Sequence, residues 1–488
     1  MHALLRPLGA DCFLQVFAQA GSGADAAGGA AAVGVGGASA IAELRRPTPA
    51  TIACLTACAR RYQRALRAQD DDALPAIGRE LFDWLNGNGC ADAWLRGTGA
   101  RVLEVRVDDG DSPLARALLE APWELLASAD GHLADDAVQL FLVSRRIGVL
   151  PTGVPQPLPA QRRDLRLLFM AAAPRQADEL DFEAEEAAIA QAIEKVSAAA
   201  RPQLIVEESG SAAGIARRLA DEGGCEALHL SCHGDLDPQH GAYLALEDDY
   251  GDLLPASAGD LVDAIGDASQ LPLLFLSACR TAESSERAPA ERAGSHADGS
   301  GNAARAPMLA PLVRELIRAG VANVVGWDGS VADQDAIDFA QVFYGELARH
   351  RSTVYAAAKA RQALRQQQRA DAQRGGHWHL ARLYLGRHGG GALTGAGLAR
   401  APLRHRAASE FLDSERGASP VAAPAAFVGR RRALQHALRE LHNTQRAGVL
   451  LHGMGNLGKS SLAARIASRC TQQRTVVVFE RYDALAIF

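Results

Sequence analysis

Ala227-Leu228-His229-Leu230-Ser231-Cys232-His233-Gly234 is an apolar run that ends at an imidazole, and Leu273-Leu274-Phe275-Leu276-Ser277-Ala278-Cys279-Arg280-Thr281 is a second that ends at a thiol. His233 and Cys279 stand 46 residues apart. Short apolar runs that stop abruptly at a reactive side chain are the pattern of buried parallel strands delivering residues to the carboxyl edge of a sheet. The two stretches therefore predict two strand ends, one carrying a base and the other a nucleophile.

Working outward, residues from Asp164 onward alternate between strand-like and helix-like patterns. Strands are expected at 165–171, 203–207, 226–231, 273–279 and 321–327, and helices at 180–198, 212–221, 258–265, 311–319, 335–350 and 353–369, with a hairpin-like piece at 242–247. Such alternation argues for an α/β fold, a parallel or mixed sheet with helices on both faces. Before it come a strand within 2–18, a Gly/Ala-rich loop at 21–39, helices at 49–68 and 74–85, strands at 101–107 and 138–149, and a proline-rich connector at 151–159. Four domains are expected: an accessory part at 1–155, the α/β unit at 160–388, a linker at 389–425, and a further module at 426–488. The segment between Arg280 and Pro307 is too polar to build a core and reads as a mobile loop directly after the thiol.

Composition narrows the class. A chain of 488 residues exceeds one compact core. A net charge of −6 argues against nucleic acid or a membrane surface as partner. Eight irregularly spaced cysteines make neither a disulfide framework nor a zinc ligand set, and fit a reducing compartment. The N-terminus has no basic stretch followed by a long apolar one, and 28–42 is too short and glycine-rich to span a bilayer. A cytoplasmic location without metal is expected.

A thiolate nucleophile must be partly exposed, near a base, and near amides that hold an oxyanion. Cys279 fits the nucleophile, His233 the base and proton donor, and the N–H of Gly234 the oxyanion donor. A thiol needs less activation than a hydroxyl, so a dyad suffices. The competing reading is that a lone strand cysteine is a small buried hydrophobe and a lone histidine a satisfied polar residue. Both standing at the polar boundary of buried strands, histidine first, favours chemistry. His229, inside its strand, is expected to be structural, and Cys232 lacks a second ligand pair for a metal.

These residues carry a resemblance. From about 100 to 387 the chain resembles a CHAT domain, a caspase-like cysteine peptidase related to separase and the caspase–haemoglobinase group. The matching pieces are Leu230-Ser231-Cys232-His233-Gly234, Leu276-Ser277-Ala278-Cys279-Arg280-Thr281, Ala319-Gly320-Val321-Ala322-Asn323-Val324-Val325-Gly326-Trp327 and Trp378-His379-Leu380-Ala381-Arg382-Leu383-Tyr384, with Pro122-Trp123-Glu124-Leu125-Leu126 upstream. The resemblance implies a His233/Cys279 dyad, an oxyanion hole from backbone near Gly234 and Cys279, and no cofactor for the peptidase. In related peptidases an acidic pocket residue selects a basic P1 side chain; Asp328 or Asp333 could take that role, although both positions also suit a turn or helix cap. The loop after Cys279 is longer than the family pattern, and the segment after Trp327 lacks the proline often found there.

A second motif lies downstream. Gly453-Met454-Gly455-Asn456-Leu457-Gly458-Lys459-Ser460-Ser461 follows an apolar stretch at 448–452, expected as a strand, and precedes a helical pattern. This is the spacing of a P-loop, in which amides near Gly453, Gly455 and Gly458 cradle phosphates, Lys459 neutralises them and Ser460, with Ser461 beside it, faces magnesium. With Phe427-Val428-Gly429-Arg430 upstream and a helix reaching Leu441, it resembles the opening of a STAND-type signalling NTPase, which implies ATP and Mg as cofactors of the intact domain. The sequence ends at Phe488, soon after a strand expected at 475–480, so the NTPase domain is expected to be incomplete and not to hydrolyse nucleotide.

Three functions follow as expectations. The first is limited proteolysis of a partner protein, such as a pore-forming or other effector in bacterial defence, restrained by the nucleotide switch, with oligomerisation through sequence beyond Phe488 as a further expectation. The second is a catalytically silent CHAT adaptor that reports the state of the switch. The third is a signalling NTPase with the N-terminal part as adaptor.

Overall fold

The structure is a computed structural model, which describes residues 2–7, 13–18, 40–45, 48–148, 157–279, 309–395 and 421–470, apart from short stretches at 88, 97–98, 109–111, 161–163, 176, 178–179, 197–201, 238–240, 249–250, 372–375, 423–426 and 428–429. The expected loops at 21–39 and 280–307 and the strand at 475–480 lie outside these residues.

The chain opens with β1 (His2–Pro7), β2 (Phe13–Ala18) and β3 (Ala40–Arg45), followed by helices α1 (Pro49–Ala68), α2 (Leu74–Leu85) and α3 (Cys90–Arg96). Next come β4 (Arg101–Val107), α4 (Pro113–Glu120), a two-residue hairpin of β5 (Ala127–Ser128) and β6 (Gly131–His132), and β7 (Phe141–Ile147). The single strand expected within 2–18 is thus two strands, antiparallel to each other.

The alternating unit follows as β8 (Arg166–Ala171), α5 (Phe182–Glu194), β9 (Gln203–Glu207), α6 (Ala212–Glu222), β10 (Ala227–Asp237), β11 (Gly241–Glu247), β12 (Leu253–Ala256), α7 (Ala258–Ile265) and β13 (Leu273–Cys279). It closes with α8 (Leu309–Ala319), β14 (Asn323–Trp327), α9 (Asp333–Ala348), α10 (Thr353–Ala370) and β15 (Ala381–Leu385). Beyond lie α11 (Arg431–His442) and α12 (Lys459–Arg469).

Among the described residues one thirteen-stranded sheet joins the N-terminal part to the alternating unit, in the order β12-β11-β10-β13-β14-β15-β7-β4-β1-β2-β3, with β8 also paired to β10 and β9 to β8. The sheet is mixed. β9, β8, β10, β13 and β14 are parallel, as crossover helices require, while β15 turns back antiparallel to β14. The segments at 1–155 and 160–388 share this sheet through the parallel pairing of β15 with β7.

Period-two alternation explains why both faces are covered. His229 and Phe275 meet Tyr344 of α9 on one face, whereas Leu228, Leu230, Leu274 and Leu276 are equally buried on the other. The ends of α6 follow from its local sequence. Ser211 caps α6 by accepting from the Gly214 amide, and Gly223 closes it at φ 66°, a left-handed conformation that glycine adopts without a steric cost.

Three expectations are corrected. β10 does not stop near Ser231 but runs to Asp237, because β11 folds back antiparallel and offers its last residues a partner. The 448–452 stretch is not a strand among the described residues; an apolar run becomes one only by pairing with a neighbour, and no described strand lies beside it. Residues 389–395, expected as the start of a linker, are packed on the unit before them. Arg146 donates to the carbonyls of Gly386 (2.8 Å) and Gly389 (3.0 Å), and Leu393 and Thr394 are buried.

Candidate active site

Parallel pairing of β10 with β13 begins at Ala227 opposite Leu273 and holds register to His233 opposite Cys279. Neighbouring strands lie about 4.8 Å apart. Two residues distant in sequence therefore share one rung of the ladder. Cys279 is the last residue of its strand, while His233 is buried, 6% exposed, with Ala245 of β11 opposite it on its other side. Gly234 pairs with Leu244.

Directly below that rung lies a buried polar cluster that sequence reasoning missed. Ser231 and Ser277 are register partners two residues before His233 and Cys279. Their hydroxyls donate to the two oxygens of Glu185 on α5, at 2.7 and 2.9 Å. His229 places Nε2 3.1 Å from the same carboxylate and bonds Tyr344 through Nδ1 at 3.0 Å, its ring held between Phe169 and Phe275. Burial pushes the Glu185 carboxyl up, but the His229 imidazole and the two serine hydroxyls outweigh it and leave the group below its ordinary value. The signal in the sequence was Leu-Ser-x-His against Leu-Ser-x-Cys, which places a hydroxyl at the same offset before each reactive residue.

The two acidic residues considered for substrate selection occupy different surroundings. Asp328 follows the last residue of β14 and is buried in an ion pair with Arg382, with Gln63 Nε2 3.4 Å away. Asp333 is the first residue of α9 and is exposed, with Ala332 as the cap. Pro122-Trp123-Glu124 is a structural hub: Trp123 donates to the Leu118 carbonyl at 2.7 Å, and Glu124 binds Arg145 and Arg361. Among the described residues the cluster able to offer metal ligands is Cys54, Cys58 and Glu80 on α1 and α2, where Arg61 already holds Glu80.

A family model for the CHAT domain matches residues 76–420, more than half of the chain. The chain belongs to the CHAT domain family. Among solved structures, the CHAT chain is similar to the separase of the Saccharomyces cerevisiae separase–securin complex, with 15% identity over 58% of this chain and a TM-score of 0.31; the match takes in 15% of the separase chain. It is also similar to the Arg-specific cysteine proteinase gingipain R, with 10% identity over 66% of this chain and 68% of that one, and a TM-score of 0.36. A search of curated proteins returned no match. No helix among the described residues is long and apolar enough to cross a membrane.

The residues expected to form a P-loop make an exposed turn in front of α12. Gly453 and Gly458 have φ of 144° and 74°, values that favour glycine, and a Cβ added at Gly453, Gly455 or Gly458 would meet nothing within 4 Å. Lys459 folds back over the loop, its Nζ donating to the carbonyls of Gly453 (3.1 Å) and Met454 (2.6 Å). Ser460 is exposed, and Ser461 accepts from the Ala422 amide at 3.0 Å. Backbone open on one side, a helix N-terminus and a lysine beside it are a donor set that fits phosphate.

α11 and α12 share a small core of Phe427, Leu434, Ala437, Leu438, Leu462 and Ile466, and dock on the CHAT domain beside the carboxyl ends of β8 and β9. Arg431 reaches both the Glu208 carbonyl and the Glu247 carboxylate, Gln435 donates to both Glu247 oxygens at 2.7 and 2.9 Å, and the Ala173 amide completes that carboxylate's shell at 2.6 Å. Arg465 pairs with Glu208. The run Arg430-Arg431-Arg432 was visible in the sequence, but its acceptors, the carbonyls of Leu457, Glu208 and Leu180 and the carboxylate of Glu247, are scattered along the chain and were not.

Proposed function

We propose that the protein is a cysteine endopeptidase that cleaves a partner protein at a limited number of sites, under the control of a nucleotide-binding switch. The observation that carries the reading is the register of His233 with Cys279 on adjacent parallel strands. In this scheme the Cys279 thiolate attacks the scissile carbonyl carbon and forms a thioester bond. The carbon–nitrogen bond then breaks as His233 passes a proton to the leaving amine, and water hydrolyses the acyl-enzyme. The backbone N–H of Gly234, next to His233, is the candidate donor to the oxyanion. Asp333, exposed in the first turn of α9, is the acidic residue available to select a basic P1 side chain; Asp328 has Arg382 as its counter-ion.

Control comes from the C-terminal module. ATP bound with magnesium would supply phosphate oxygens as acceptors for the loop's amides and lysine, with the cation offsetting part of their charge. Gly453, Gly455 and Gly458 present the backbone, Lys459 neutralises phosphate, and Ser460 and Ser461 stand at the start of the helix. Buried contacts between α11 and Glu247 support coupling of that module to the CHAT domain. The substrate is an effector protein, pore-forming or otherwise, of a bacterial defence response.

The test is labelling by a peptide acyloxymethyl ketone, read by intact mass, on wild type, His233→Ala and Cys279→Ala. Covalent addition to wild type that disappears in both variants is expected. Absence of labelling in wild type, with or without Mg·ATP, would favour the silent adaptor instead.

A further inference from the structure

We infer that Glu185 is a positioning residue for the His233/Cys279 pair: its buried carboxylate ties together β10 and β13 at the rung before the site, through Ser231 and Ser277. The inference rests on the dyad reading above.

Glu185 leaves α5 and enters the sheet face 4% exposed, where it accepts from one hydroxyl on each strand, Ser231 Oγ at 2.7 Å and Ser277 Oγ at 2.9 Å. Both serines are themselves buried, and they are partners in register. Burying a carboxylate costs several kcal/mol unless it is paired and hydrogen-bonded. A core that needed only volume here would be served by leucine. What the carboxylate adds is direction, because its two oxygens fix the separation and the relative height of two hydroxyls.

Parallel ladders are weaker per residue than antiparallel ones, and side-chain period two makes a register slip turn every residue to the other face. The slip matters most at the carboxyl ends, where His233 of β10 stands opposite Cys279 of β13. A tie between Ser231 and Ser277, two residues back on each strand, restrains the end that carries both residues. His229 secures the tie from below, with Nε2 3.1 Å from Glu185 and Nδ1 bonded to Tyr344 of α9. The carboxylate is thereby fixed to both strands and to a second helix.

The effect belongs to geometry and not to contact with substrate, and misplacement of about 1 Å costs on the order of a hundredfold in rate. The experiment compares inactivation of the full chain by a peptide acyloxymethyl ketone in wild type, His233→Ala, Glu185→Gln, Ser277→Ala and Ser277→Thr, resolving the maximal rate from the half-saturating concentration, with melting curves to confirm folding. Glu185→Gln and Ser277→Ala are expected to lower the maximal rate about ten- to a hundredfold and to leave half-saturation within about twofold. Ser277→Thr restores the rate, because it keeps the hydroxyl. If packing alone were at work, alanine would be tolerated and the extra methyl of threonine would not. Should Glu185→Gln fail to fold, the Ser277 pair decides the matter. Wild-type rates in Ser277→Ala, with His233→Ala inert, would overturn the role of Glu185 alone. Equal labelling of wild type and His233→Ala would sink the dyad reading, and the positioning role with it.

Discussion

Arg145 and Glu124 face each other in a fully buried fork, with Nη1 2.6 Å from Oε1 and Nη2 2.8 Å from Oε2. Arg361 of α10 joins the same carboxylate at 3.4 Å. Burial pushes the Glu124 carboxyl up, but Arg145 and then the more distant arginines outweigh it and hold the group at about 2, below its ordinary 4.5. A carboxyl lowered on folding contributes stability that is present above its unfolded value and is lost as pH falls through the folded one. This contribution should therefore be intact at pH 7 and disappear between about 4.5 and 2. Glu124→Gln removes the charge and strands two buried guanidinium groups, at a cost of about 3–5 kcal/mol at pH 7. Denaturant titrations at pH 7 and pH 3 should show a smaller difference between wild type and variant at the lower pH; an equal difference at both would refute the assignment.

Gly389 lies against the backbone of Ala322, where an added Cβ would stand 2.0 Å from the carbonyl oxygen. No rotamer change relieves a clash with backbone. Gly389→Ala should destabilise by at least about 2 kcal/mol, seen as a fall in melting temperature. Gly395, where the nearest atom to an added Cβ is 3.6 Å away, provides the control, since Gly395→Ala should melt close to wild type.

The docking of α11 depends on Glu247, whose carboxylate is met by Arg431, Gln435 and the Ala173 amide. Arg431→Ala leaves that buried charge short of its cation and removes the guanidinium that also rests on Phe182. Amide exchange across 431–469 should quicken by about tenfold or more, corresponding to a loss of roughly 1.4 kcal/mol or more in local opening, while exchange in β13 and β14 stays as in wild type. Unchanged exchange in α11 and α12 would mean that the contact does not hold the module down.

Asp328 and Asp333 should separate cleanly by substitution. Asp328→Ala leaves Arg382 buried without its counter-ion and is expected to lower the melting temperature by several degrees. Asp333→Ala sits on an exposed first turn and should fold normally. If Asp333 selects a basic P1 residue, its alanine variant loses cleavage after Arg and Lys while other cleavage persists; undiminished Arg/Lys cleavage removes it from the pocket.

Lys459 supplies a fifth test, through binding. Wild type should melt at a higher temperature with Mg·ATP, and Lys459→Ala should show no such rise, because the ammonium that now reaches the Gly453 and Met454 carbonyls is the loop's cation. An identical rise in both proteins would mean that the nucleotide binds elsewhere.

How far the sequence could be read follows from the range of the interactions involved. Local patterns determined the strands that carry His233 and Cys279 and the helices from α5 to α10 within a few residues, because periodicity acts over three or four neighbours. Likewise, the apolar runs of β8, β10, β13 and β14 announced buried parallel strands, since only residues covered on both faces are apolar at every position.

Tertiary structure alone decided the rest. It decided that β10 continues past His233, since only β11 folding back could offer a partner, and that 448–452 makes no strand without one. It paired Glu124 with Arg361 across 237 positions and Glu247 with Arg431 across 184. It also brought Glu185 beneath two serines that pattern alone shows only as polar interruptions in apolar strands. A buried charge is tolerable only when the fold brings it a partner, and nothing local in the chain says which residue that partner will be.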